Sequence, residues 1–177
     1  MFAFRRTVVA AVLASVGLVS LTVPGAQAEP ANTPTVAAAR AAAAVPVDTP
    51  VHLIENVSNR GATIEVYANW DYALLTNDRG SKGTKVIFRQ QGDGYTIEST
   101  FGHWSGYTYW HGVGNGIKLD TRENATVFKV VPSSRGFLIA DRHDNYATYP
   151  SNGKGWFQLF NTVLPNFREF AYFRIEE

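Results

Sequence analysis

The stretches VHLIEN (51–56), GYTIES (94–99) and GFLIAD (136–141) decide how this chain folds. In each, a short run of apolar and polar residues is centred on an isoleucine, and Ile54, Ile97 and Ile139 recur at spacings of 43 and 42 residues. Recurrence at such a period marks a supersecondary unit that cannot bury its apolar face alone and is stacked with copies of itself. The units also close alike, with KVIFRQ (85–90), TVFKVV (126–131) and AYFRIE (171–176) placing Phe88, Phe128 and Phe173 next to Arg or Lys.

Between opening and closing segments each unit holds two more short, β-branched or aromatic runs. These are ATIEVY and ALLT in the first, YTYWH and IKLD in the second, and YATY and WFQLF in the third. Gly, Asn, Asp and Ser separate the runs, and none has a sustained helical period, which is an all-β pattern. QGDGYT (91–96) and PSSRGF (132–137) carry the turn residues that join one unit to the next. The expected architecture is therefore all-β, with three repeats of four strands and about 42 residues each, at 51–92, 93–134 and 135–177. Ile54, Ile97, Ile139, Phe88, Phe128 and Phe173 are expected to share the core. A β-sandwich is the competing architecture, but it does not require the threefold recurrence.

Two segments precede the repeats. Residues 1–28 read as a secretory signal peptide: Arg5 and Arg6, an apolar run from Thr7 to Val23, then Pro24-Gly25 and an A-x-A end at Ala26-Gln27-Ala28. A permanent transmembrane helix is the alternative, for which the run is slightly short and ends in helix breakers. Residues 29–50 are almost all Ala, Pro, Thr and Val and read as a flexible linker. The expected mature protein is secreted, extracellular and monomeric, without membrane insertion.

The composition excludes several chemistries. There are 16 Lys plus Arg against 15 Asp plus Glu, and removal of Arg5 and Arg6 leaves a net charge of −1, so nucleic acid is not an expected partner. With no cysteine there is neither a disulfide framework nor a thiolate zinc site. The four histidines, His52, His103, His111 and His143, show no metal-ligand spacing, and no G-x-S-x-G is present. Asp71, Asp120 and Asp144 would form a hydrolytic carboxylate pair only if the fold gathered them. No enzyme activity, metal or cofactor is expected.

Three four-stranded units of this length resemble the β-trefoil superfamily, in which a six-stranded barrel is capped by three hairpins. The resemblance covers 51–177. It implies a binding scaffold rather than one activity, since trefoils serve as lectins, protease inhibitors and growth factors. Secreted trefoils include the ricin-type lectins, whose repeats end on Gln-x-Trp; the equivalent strands here lack that motif. ENATVFKVVP (123–132) is similar to the arabinofuranose-binding trefoil modules, whose repeats close on Ala-x-Phe.

Candidate ligand residues follow from side-chain chemistry. A sugar presents apolar C–H faces and a rim of hydroxyls, so it calls for flat aromatics beside fixed polar groups. FGHWSGYTYWHG (101–112) is the densest such cluster and contributes His103, Trp104, Tyr107, Trp110 and His111. The first repeat adds Trp70, Asp71 and Tyr72 beside Asn69, and the third adds Asp144, Asn145 and Tyr146 beside Arg142 and His143. The expected partner is a glycan or polysaccharide. A secreted protein target is the alternative, because a protease inhibitor of trefoil type presents an exposed loop. NDRGSKGT (77–84) offers Arg79 and Lys82 for that role.

Overall fold

The computed structural model describes residues 45–177; the signal-peptide and most of the linker reading lie outside the described residues. Thirteen strands form one continuous sheet. They are β1 (Pro50–Glu55), β2 (Arg60–Tyr67), β3 (Trp70–Leu75) and β4 (Val86–Gln91) in the first repeat. The second repeat holds β5 (Gly94–Ser99), β6 (Tyr109–Val113), β7 (Gly116–Asp120) and β8 (Lys129–Ser133). The third holds β9 (Gly136–Ala140), β10 (Tyr146–Pro150), β11 (Gln158–Phe160), β12 (Arg168–Phe170) and β13 (Phe173–Glu176). The third repeat thus has a strand more than expected, because β12 is added to the free side of β10.

Six strands close on themselves. β1 pairs with β4, β4 with β5, β8 with β9, β9 with β13 and β13 with β1, and Tyr95 bridges Phe128 to join β5 to β8. Closure leaves this ring of strands without an edge to protect. The hairpins β2–β3, β6–β7 and β10–β11 form the cap and meet through Tyr72↔Lys118, Gly116↔Gln158 and Trp156↔Leu74. Each of those pairings is the next one advanced by a repeat, so the fold is a β-trefoil with its pseudo-threefold axis through the cap. The turns obey local chemistry: Ala68 and Asn69 take positive φ (49° and 64°) to join β2 to β3 by a two-residue turn.

The register corrects two expected core equivalences. The barrel bridges Val51↔Val86, Tyr95↔Phe128 and Phe137↔Phe173 are equivalent, which makes Leu53, Ile97 and Ile139 the matching inward layer. Leu53 therefore takes the place expected for Ile54, which is buried but lies outside the main core cluster. A one-residue shift moves a strand side chain to the other face, and the Leu53-Ile54 pair hides that shift from pattern alone. Phe88 is a buried core residue, but it is two positions beyond the site matching Phe128 and Phe173, which Val86 fills.

Residues 45–50, expected to be linker, lie against the barrel. Val45 is buried, Val47 bridges Phe88, and the Asp48 N–H donates to the Phe88 carbonyl at 3.0 Å.

Candidate functional site

Strand β3 alternates Trp70 outward, Asp71 inward and Tyr72 outward. The loop from β5 to β6 lays residues 100–108 beside the tip of the β2–β3 hairpin. The junction is a cleft of about 190 Å³ lined by Asn69, Trp70, Asp71, Trp104, Tyr107 and Leu119. Trp70 and Trp104 stay 39% and 38% exposed despite their size, and the Tyr107 ring sits 5.9 Å from that of Trp70, tilted by 59°. Three aromatics from two repeats thus share one open site.

Asp71 organises the loop side of this cleft. Its buried carboxylate accepts the His103 backbone N–H at 2.6 Å and the imidazole Nδ1 at 2.7 Å. That pairing assigns the ring proton to Nδ1 and leaves Nε2 as the outward nitrogen of a half-exposed imidazole. Asp71 is a positioning residue, because its oxygens are occupied by His103.

Lys118 organises the sheet side. Its ammonium lies 3.7 Å from the Trp70 ring centroid and 2.8 Å from Asp120, itself nearly buried. Burial alone would raise the Asp120 carboxyl. Hydrogen bonds from Lys118, Asn124 and the Thr121 N–H outweigh it and hold the group down at about 2, against an ordinary 3.8. A carboxyl depressed on folding binds more protons when unfolded, so it stabilises the fold above the unfolded value and loses that contribution as pH falls through the folded one. The Asp120 carboxylate and its three donors are together expected to contribute about 2 kcal/mol above pH ~4, lost between ~4 and ~2. Urea unfolding across that range checks this. Asp120→Asn is expected to lower stability at pH 7 and flatten the acid limb, and an acid limb identical to wild type would contradict it.

Trp110, expected to be a ligand residue, is a core residue. It is fully buried against Phe128 and Phe157, with centroids at 6.4 and 5.8 Å. The register explains why: Trp110↔Leu119 matches Ala62↔Leu75 and Ala147↔Leu159, so one large ring fills a layer in which the other two repeats contribute alanine.

The remaining candidates disperse. His111 and Asn145 line a second junction, of about 530 Å³, with Thr126, Arg142 and His143. Asn145 is tied to Asp141 through its backbone N–H and its amide. Asp144 is an exposed turn residue at φ 58° paired with Lys129 at 3.0 Å, and Tyr146 packs edge-on against Phe170 at 5.7 Å. Tyr72 belongs to a separate aromatic group with Tyr67 and Trp156. Asp71, Asp120 and Asp144 each pair with a different basic side chain. At the third junction Arg60 packs against Gly155 and caps the carbonyls of Leu75 and Thr76, where the other two repeats leave space.

Sequence reading missed Lys118 as a site residue, along with Tyr67 and Trp156. Lys118 carries a detectable signal, a lysine amid the apolar and acidic residues of IKLD (117–120). Tyr67 and Trp156 carry none, being 89 positions apart and brought together by register alone.

No protein-family model matches the sequence, and no curated protein matches it significantly. Solved structures do match. Lysenin in complex with phosphocholine superposes with a TM-score of 0.60 at 14% identity, over 76% of this chain and 46% of that one. The protein therefore spans about half the length of lysenin. A rice (Oryza sativa) bifunctional α-amylase/subtilisin inhibitor matches with a TM-score of 0.54 at 16% identity, over 75% of this chain and 92% of that one. A water-soluble chlorophyll protein from Brassica oleracea, solved with chlorophyll b, matches with a TM-score of 0.55 at 13% identity over 75% and 94%. At these identities the likeness is one of fold.

Proposed function

We propose that the protein is a secreted, non-catalytic, lectin-like trefoil whose glycan seats in the Trp70–Trp104–Tyr107 cleft. The observation that carries this reading is the pair of half-exposed tryptophans held beside fixed polar groups. The solved neighbours take unlike ligands, phosphocholine in one and chlorophyll b in another, so the ligand class is argued from the cleft's own side chains. The volume of about 190 Å³ lies below the ~300–1,000 Å³ of drug-sized pockets and suits one sugar ring. Aromatic faces match the C–H faces of that ring. Asn69 lines the cleft, and the Lys118 ammonium against Trp70 and the His103 imidazole beside Trp104 lie at its margin, as the polar groups nearest the sugar's hydroxyls. Secretion is supported by the export-type pattern of residues 1–28.

Retention on immobilised polysaccharides tests the reading, with Trp104→Ala as the comparison. The wild type is expected to be retarded on at least one matrix and the variant to elute with the void. Equal mobility of the two on every matrix would refute the assignment.

A second reading, protease inhibition, is favoured by the loop between β3 and β4. The Gly80 N–H donates to Asn59, the Gly61 N–H to Ser81 and the Thr84 N–H to Ala62, so the loop is braced along the start of β2. A Cβ on Gly61 would strike the Lys82 carbonyl, which shows how closely it is seated. Preorganisation of this kind is what a substrate-like inhibitor loop requires. Lys82 is engaged with Glu176 at 3.4 Å, which leaves Arg79 as the basic residue for a trypsin-like pocket. Trypsin activity undiminished at equimolar protein would remove this reading; stoichiometric loss that Arg79→Ala abolishes would establish it.

A further inference from the structure

A second aromatic cleft lies where the three cap hairpins meet. Tyr67, Tyr72 and Trp156 gather there, with centroid separations of 6.0, 5.8 and 6.2 Å. With Val113, Gly116 and Gln158 they line a cleft of about 420 Å³. Tyr72, Gly116 and Trp156 are equivalent positions about the pseudo-threefold axis, as the pairings Tyr72↔Lys118, Gly116↔Gln158 and Trp156↔Leu74 show. Two repeats therefore supply a ring and the third supplies only a hydrogen, over which the Tyr72 ring closes. A Cβ on Gly116 would meet the Tyr72 ring at 3.3 Å.

Tyr67 is 64% exposed and contributes nothing to the core. Its neighbours repeat the chemistry of the first cleft. Gln158 and the phenol hydroxyls are polar, and Lys154, ion-paired with Glu65, holds its ammonium 5.0 Å from the Trp156 centroid. Clustered rings with a hydrogen-bonding rim are what a sugar face needs, and more apolar surface than an isolated surface strand calls for.

The two clefts share no lining residue but adjoin along β3, where Tyr67 of the one stands opposite Trp70 of the other. Trp70 and Tyr72 alternate onto its outer face, and Trp156 bridges Leu74 two residues further on. At 3.2–3.4 Å per strand residue the rings extend over roughly 13 Å, longer than any single sugar ring. Lys118 lies between them, its backbone opposite Tyr72 and its ammonium over Trp70, and its side chain is only 13% exposed. It forms a low floor carrying hydrogen-bond donors rather than a barrier.

We infer that these clefts are two subsites of one track, and that the ligand is an internal stretch of a polysaccharide chain rather than a terminal sugar. The inference rests on the glycan reading of the first cleft and extends it. The axial subsite contributes only when the chain is long enough to reach it, so affinity grows with chain length.

The test is calorimetric titration of the protein with cello-, xylo- and chito-oligosaccharides of one to six units, for the wild type, Tyr67→Ser, Trp156→Ala and Trp70→Ala. Tyr67 is exposed enough that its replacement spares the fold. In the binding series, affinity is expected to rise about tenfold or more from the monosaccharide to the longer members. Tyr67→Ser and Trp156→Ala are expected to abolish that rise while leaving the monosaccharide unaffected, whereas Trp70→Ala weakens binding at least tenfold at every length. Affinity independent of length, or a rise that survives in both axial variants, overturns the track and leaves the first cleft standing. Silence of all three series overturns the glycan reading and the track together.

Discussion

Trp110→Ala is expected to cost about 3–5 kcal/mol of stability, the range for truncating a large buried ring whose surroundings cannot collapse. The register explains the large cost. The matching positions are Ala62 and Ala147, whose methyl groups are too short to reach into the space, and Phe128 and Phe157 lose the ring they pack against. A domain of this size is stable by roughly 5–15 kcal/mol, so a large share of the margin goes. Trp110→Phe keeps a ring and removes an indole N–H that is buried without an acceptor, and is expected to cost far less. Urea unfolding followed by near-ultraviolet circular dichroism checks both. A Trp110→Ala midpoint equal to wild type would contradict the layer described for the core.

Trp70→Ala is expected to do the opposite, sparing the fold and removing the function. The ring is 39% exposed at a hairpin tip, and its packing partners are Tyr107 and the Lys118 ammonium. The cation–π contact, between a half-exposed ring and a largely buried ammonium, accounts for about 0.5–2 kcal/mol of stability. As the central stacking surface of a single-ring site, its loss is expected to weaken glycan binding at least tenfold, in line with aromatic anchors in other interfaces. Frontal affinity chromatography and a thermal melt on the same sample separate the two effects. A lowered melting temperature with unchanged retention would show that Trp70 is structural and that the ligand sits elsewhere.

The contrast between these two tryptophans shows what the sequence can and cannot convey. Strict alternation in YTYWH (107–111) separates Trp110 from Tyr107, Tyr109 and His111, but it does not say which face is inward. That depends on Ala62 and Ala147, small residues at equivalent places 48 and 37 positions away. The repeat itself was legible because each unit has its own opening, turns and closing aromatic. Its register in the first unit was not, since Leu53 and Ile54 are both apolar and either satisfies the pattern. Trp70 and Trp104 were identifiable as ring-bearing residues between strand runs and Tyr107 as the first residue of one; the structure starts that strand at Tyr109 and leaves Tyr107 in the loop laid on a neighbouring repeat's hairpin, where the three rings converge. The same holds for Asp71 and His103, joined across 32 residues. The acidic residues looked alike in sequence, and only the structure distinguishes Asp71, buried on an imidazole, from Asp144, exposed on a lysine.

The proposal that the Trp70–Trp104–Tyr107 cleft holds a sugar is tested most directly by tryptophan fluorescence of the purified protein during titration with a panel of polysaccharides. Trp70 and Trp104 are half-exposed and report on the cleft, while Trp110 is shielded in the core and serves as an internal constant. A saturable shift or quench is expected with at least one polysaccharide, and it is expected to disappear in Trp70→Ala. A folded protein whose emission is unmoved by every polysaccharide, or moved equally with and without Trp70, would contradict it.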